Sequence, residues 1–281
     1  MTIPKSAKTT DPLSLVLRGL VWLAVAVTVL VFVSIVGYVL IKGVPNLTLS
    51  LFSLTYNSEN VSLFPALVNT IGITALSLLV AVPLGVFSAV YTVEYARRGN
   101  KLVKIVRMTA ETLSGIPSIV YGLFGFLFFV SALGWGYSML AGVFTLSIMI
   151  LPLIMRTTEE ALGAVSDAFR EGSFGLGAGR LRTVFKIVLP AAQPGILAGV
   201  ILAVGRIVGE TAALIYTAGT VAKIPGSLLE SGRTLSVHMY ALASEGLYID
   251  QAYATAVVLL VIVTGINALS SWLARRLTRE R

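Results

Sequence analysis

Charges are sparse along this chain, and the stretches between them are long and apolar. Gly19–Ile41 runs 23 residues without a charge, between Arg18 and Lys42. Asn60–Val93 lies between Glu59 and Glu94, with its span expected at 66–90. Thr112–Met155 runs 44 residues. As one helix rising 1.5 Å per residue it would reach about twice the roughly 30 Å hydrocarbon layer of a membrane. The Gly134-Trp135-Gly136-Tyr137-Ser138 stretch offers a tight turn in its middle. It therefore reads as two spans, at about 117–133 and 139–155. Two more follow at about 195–218 and 251–274. The pattern predicts an all-α transmembrane fold of six spans. The first run is too long for the apolar core of a signal peptide, and no small-residue cleavage site clearly follows it. It is expected to stay as a span.

Composition supports lipid as the solvent. The 281 residues are 56% hydrophobic and only 12% charged, about half the charge of a soluble domain. A net charge of +8 in a soluble protein would suggest nucleic acid. Here the basic residues sit in short segments beside the apolar runs, with no Lys/Arg tract interleaved with aromatics, so nucleic acid is set aside. Their distribution sets orientation. With the N-terminus inside, the inner segments hold Lys5, Lys8 and Arg18; Arg97, Arg98, Lys101, Lys104 and Arg107; Arg156, Arg170, Arg180, Arg182 and Lys186; and Arg275, Arg276, Arg279 and Arg281. The outer segments hold only Lys42, Lys223 and Arg233. Both termini are expected in the cytoplasm, as tails 1–18 and 276–281 flanking one transmembrane domain, 19–275.

The 156–194 segment is long for a connector inside a compact protein, and such loops usually carry function. It reads Glu171-Gly172-Ser173, three residues, Gly177, nine residues, then Ile187-Val188-Leu189-Pro190. Ser166 is placed to cap a short helix that ends in the glycines at 175, 177 and 179. A short helix followed by a glycine break makes a knob that another protein can grip. A plain amphipathic connector is the blander reading.

The fifth span contains Gly205-Arg206-Ile207-Val208-Gly209-Glu210-Thr211. An ionisable residue at membrane depth costs several kcal/mol unless paired or wet. Arg206 follows Pro194 by about 18 Å of helix, near mid-membrane. Glu210, at i+4, would share its face. Two readings stand: an internal ion pair that stiffens the span, or an anion path. In the second, the planar guanidinium fork fits a tetrahedral oxyanion, while Glu210 orients it and accepts a proton. Pro83 is tolerated inside span two. Asn69, Thr70 and Thr74 suit helix–helix hydrogen bonds or the lining of a path. The single histidine, His238, is expected at the surface of an outer loop, and Thr234–Ser244 as an amphipathic stretch on the membrane surface. There is no Gly-x4-Gly-Lys-Ser/Thr phosphate loop, no cysteine, no metal constellation and no nucleophile–base pair. The chain is not expected to be an enzyme.

The spacing from Glu171 to Pro190 resembles the Glu-Ala-Ala (EAA) loop of permeases of ATP-binding-cassette (ABC) importers, with Gly172 and Ser173 in place of the two alanines. The stretches Asn69–Ala96, Thr112–Gly125 and Gly205–Leu214 look like the phosphate-specific permeases of the PstA or PstC type, PstA the nearer. The resemblance implies a six-helix permease of the type I importer class in a prokaryotic inner membrane. It implies Arg170, Glu171, Gly177, Leu189 and Pro190 as ATPase-coupling residues, and it fits Arg206, Glu210 and Thr211 as the substrate path. It implies a second, related permease, two ATPase subunits that bind ATP and Mg, and an extracytoplasmic phosphate-binding protein. No cofactor is expected on this chain itself. Sulfate, molybdate and phosphonate suit the same chemistry, and a stand-alone secondary transporter with Glu210 as proton relay is the rival from another class.

Overall fold

The computed structural model describes residues 12–279 except Arg98. Lys5, Lys8, Arg98 and Arg281 lie outside the described residues, as do the side chains of Arg275, Arg276 and Arg279. Every regular element among the described residues is helical.

Helix α1 (Pro12–Gly43) is apolar all round and almost wholly exposed. Its tip packs on α11 (Ile249–Arg279), where Gly43 lies against the Tyr253 backbone and Tyr38 meets Tyr253 edge to ring at 5.7 Å. An apolar, exposed helix of this length needs lipid or another protein around it. Helix α2 (Phe64–Val90) carries Pro83 internally and passes into a π turn at Tyr91–Tyr95. Helix α3 (Lys101–Ser114), capped by the Asn100 side chain, and α4 (Ser118–Gly125), prolonged by a π segment to Ala132, meet at a 104° bend across Gly115–Pro117. The stretch after the bend is about 22 Å long, too short to cross alone. The described chain has five helices fit to span a membrane, or six with this bent pair counted as one.

Gly134 and Gly136 adopt φ of 67° and 65°, which makes the turn expected between spans three and four. Helix α5 (Met139–Gly163) then runs eight residues beyond the 155 boundary read from the sequence. Arg156, Glu159 and Glu160 are therefore helical residues, because Arg156–Leu162 contains no breaker before Gly163. Helices α6 (Asp167–Gly175) and α7 (Arg180–Thr183) lead through a π turn at Val184–Val188 into α8 (Leu189–Val208).

The fifth span is not the continuous helix expected at 195–218. Helix α8 ends at Val208, Gly209–Thr211 break it, and a single turn follows, α9 (Ala212–Ile215). The core joins α2, α5 and α8 through Ile73, Leu146, Ile150, Ile154, Ala203 and Ile207. Glycine permits the closest approach. A Cβ on Gly199 of α8 would stand 2.0 Å from the Thr157 hydroxyl of α5. Between α2 and α5, Ser77 donates to the Val143 carbonyl at 3.3 Å and Ser147 to the Ser77 carbonyl at 3.2 Å.

Helix α10 (Leu235–Glu245) is a core element, not the surface stretch expected there. Leu235, Val237, His238 and Leu242 are fully buried. Its start is fixed from α2: Thr70 accepts from the Leu235 amide at 2.8 Å, and Asn69 donates to the Lys223 and Arg233 carbonyls. His238 is therefore not a surface histidine. Burial, and secondarily the charge of Arg233, lower its imidazole to about 3. Arg233 itself lies over the Tyr56 ring at 4.7 Å.

Candidate functional site

Where α3, α5 and the end of α8 converge, they enclose a cavity of about 370 Å³. Helix α3 contributes Arg107, Glu111 and Ser114, and α5 contributes Pro152, Arg156, Thr157, Glu159 and Glu160. Helix α8 contributes Arg206. Three guanidinium and three carboxylate groups thus share one vestibule. Arg107 Nε pairs with Glu159 Oε2 at 3.1 Å, and Arg156 Nε with Glu160 Oε1 at 3.1 Å. Both pairs are wet on at least one side, so each contributes little to stability and opens readily. Among the described residues Arg206 has no carboxylate partner within ion-pair distance. It is half-buried, with its guanidinium donors free.

The i,i+4 pairing expected between Arg206 and Glu210 does not form. It needs an unbroken helix, and α8 stops two residues short of Glu210. Glu210 turns away from the vestibule. Its carboxylate accepts from the Ala213 amide at 3.0 Å, satisfying a free donor at the start of α9, and its carbonyl accepts from the Ser236 hydroxyl. Thr211 faces another groove, of about 440 Å³, between α10, α11 and the end of α1. Of the three residues assigned to the path, the structure brings only Arg206 to the vestibule.

At the opposite end of α5 from the Gly134–Gly136 turn, α6 projects from the bundle. Ser166 caps it through the Ala168 amide. Glu171 is exposed, and Gly177 sits exposed at φ 80° just beyond its end. Phe169, Phe174, Leu176, Leu181 and Phe185 are exposed around them, Leu176 at 91%. A cluster of apolar side chains on charged, protruding helices marks an interaction surface. Ser173, one of the two residues that replace alanine, is buried and shares a 2.8 Å hydrogen bond with Thr183, which locks α6 to α7. Leu189 and Pro190 open α8 and are half-buried, so they carry the joint between the projection and the bundle. Arg170 points inward. It donates to the Leu162 and Val165 carbonyls at 2.9 and 2.7 Å and pairs with Glu94 at 2.6 Å and Asp167 at 3.1 Å. The Glu94 hydrogen bond raises the Arg170 pKa above its already high ordinary value.

Arg107, Glu111, Arg156, Glu159 and Glu160 did not stand out in the sequence as site residues. The available signals were the i,i+4 spacing of Arg107 and Glu111 on an amphipathic segment that begins at a capping Asn100, and the lack of any helix stop between Met155 and Gly163.

A polar vestibule inside an apolar helical bundle, joined to a protruding apolar knob, defines a membrane permease built to work with another protein. The chain belongs to the family of binding-protein-dependent transport system inner membrane components, whose model matches residues 81–280. It is 33% identical to a probable ABC transporter permease protein, YqgI, of Bacillus subtilis, covering 97% of this chain and 98% of that protein. It is 32% identical to the phosphate transport system permease protein PstA 1 of Mycobacterium tuberculosis, covering 78% of this chain and 72% of that one. Among solved structures, a permease chain of a bacterial alginate ABC transporter, crystallised with an alginate-bound periplasmic protein, superposes with a TM-score of 0.66 over 93% of this chain and 96% of that chain, at 18% identity. A chain of the MetNI methionine ABC transporter, in inward-facing conformations, gives 0.59 over 76% and 94%, at 21% identity. The fold is that of type I ABC importer permeases, and the chain is a translocation subunit, not an enzyme.

Proposed function

We propose that this chain is a transmembrane subunit of an ATP-driven importer of inorganic phosphate. The observation that carries the proposal is Arg206, which among the described residues has no carboxylate within ion-pair distance although the vestibule it lines also holds Glu111, Glu159 and Glu160. A tetrahedral oxyanion supplies acceptor geometry that fits the planar guanidinium fork of Arg206. Arg107 and Arg156 stand in the same vestibule, each guanidinium side chain at least half exposed in its ion pair, so the oxyanion has successive guanidinium partners on its way. The relatives named as phosphate permeases favour phosphate over sulfate, molybdate or phosphonate.

The excess of Lys and Arg on the α6 side supports a cytoplasmic position for that side and for both termini in a prokaryotic cell. There α6, with Glu171, Gly177 and the exposed phenylalanines around them, docks on an ATPase subunit that binds ATP and Mg; the assembly holds two such subunits. A second, related permease completes the path, and the exposed α1 suits contact with it or with lipid. An extracytoplasmic binding protein delivers phosphate at the α10 end. Closure of the ATPases pushes α6 and moves α5 and α8 through the Leu189–Pro190 joint.

Substituting Arg206→Gln in the assembled transporter tests the reading. Labelled phosphate uptake is expected to fall at least ten-fold while the ATPase subunit still co-purifies. Uptake at the unsubstituted rate would reduce Arg206 to a structural residue.

A further inference from the structure

The π turn at Tyr91–Tyr95 lies between the projecting helices and the vestibule, and its inward side chains touch both. Thr92 and Glu94 are buried. Glu94 accepts from Arg170 of α6 through Nη2 at 2.6 Å and Nε at 3.2 Å. Tyr95 lies beneath the Arg180 guanidinium of α7 at 5.3 Å. On the other side, the Thr92 hydroxyl donates to the Glu159 carboxylate of α5, whose partner is Arg107 in the vestibule. Two residues apart on one turn, Glu94 holds the projection and Thr92 holds a vestibule ion pair. The Glu94–Arg170 contact is shielded, with side-chain exposures of 9% and 15%, so salt and water do not loosen it as they loosen a surface pair. π turns are rare and concentrate at functional sites. The backbone hydrogen bond from Ala96 to the Tyr91 carbonyl closes this one at 2.9 Å.

We infer that this π turn is the mechanical link between α6 and the vestibule, with Glu94 and Thr92 as positioning residues. Displacement of α6 pulls Glu94 through Arg170. The turn carries Thr92 with it, Glu159 follows, and Arg107 is released toward the oxyanion. ATPase closure is thereby joined to a change of charge in the path. The inference rests on the proposed docking of α6 on an ATPase and on the vestibule as the path. Spatial intermediacy alone does not establish coupling, so the test is a double-mutant cycle.

The measurement is phosphate imported per ATP hydrolysed by the full assembly in proteoliposomes, with binding protein saturating. Glu94→Gln is expected to keep the ATPase subunit and its hydrolysis while importing at least ten-fold less phosphate per ATP. Thr92→Val is expected to lower the same ratio at least three-fold. The double variant is expected to be no worse than Glu94→Gln, since both act on one route. An unchanged ratio in either single variant, or losses that multiply in the double variant, would overturn the inference. So would loss of the ATPase subunit from the Glu94→Gln assembly, which would make Glu94 part of the docking surface. If the Glu94→Gln chain does not fold, Thr92→Val decides alone: a lowered ratio supports the link and an unchanged one removes it. Failure of the unsubstituted chain to retain an ATPase or to import phosphate is a separate outcome, and it removes the functional reading beneath the inference.

Discussion

Arg206 and Glu210 look alike in sequence, four positions apart, yet they do different work. Arg206 lies in the last turn of α8 beside the vestibule, whereas the Glu210 carboxylate accepts from the Ala213 amide and its carbonyl from the Ser236 hydroxyl beyond the helix end. The three-residue break at Gly209–Thr211 decides this, because an i,i+4 face exists only while the helix continues. His238 is a second case where environment overrides residue type. Held near 3 in the folded chain, it stays neutral at every pH the cell offers. In the unfolded chain it takes a proton below about 6.5. Folding stability is therefore complete above that value and falls as pH drops toward 3, by about 1.4 kcal/mol per pH unit. The thermal midpoint in detergent is expected to fall between pH 6.5 and 5, and to fall less in His238→Gln. An equal fall in both proteins would show that His238 is not the group concerned.

At the scale of elements, two glycines make opposite demands. A Cβ on Gly199 would overlap Thr157, whereas one on Gly177 meets nothing within 4 Å and only strains a backbone at φ 80°. Gly199→Val is expected to separate α5 from α8 and to cost about 1–3 kcal/mol of stability, read as a lower thermal midpoint. Gly177→Val is expected to leave that midpoint within a few degrees and to reduce co-purification of the ATPase. A normal midpoint for Gly199→Val would contradict the close packing of α5 on α8, and full ATPase retention by Gly177→Val would contradict the docking surface. The apolar runs made the long helices legible in sequence, because burial in lipid demands an unbroken stretch of that length. The Gly134–Gly136 turn and the Ser166 cap were legible because each rests on local chemistry. The end of α8 was not, since Gly209 is ordinary inside a membrane helix and only the seat of Glu210 on α9 makes it a stop. Helix α3 and the extension of α5 were hidden by their charges, which read as loop until they pair across helices as Arg107 and Glu159 do. The burial of α10 depends on Asn69 and Thr70, more than 150 positions away, and no local pattern reports that.

At the scale of the whole molecule, three surfaces stand open. Among the described residues, helix α1 packs on α11 near its tip, the α6 surface is apolar and exposed, and the vestibule opens beside a cleft of about 720 Å³ lined by Arg97, Lys104 and Arg107. Each open surface suits a different neighbour: lipid or a second permease, an ATPase, and the oxyanion in transit. The central claim is that this chain carries phosphate only when an ATPase drives it. Labelled phosphate uptake into proteoliposomes measures that directly, with this chain present or omitted and with ATP supplied or withheld. Uptake is expected only when the chain, its partner subunits and ATP are all present. Uptake by the chain alone, or by the full assembly without ATP, would contradict the account.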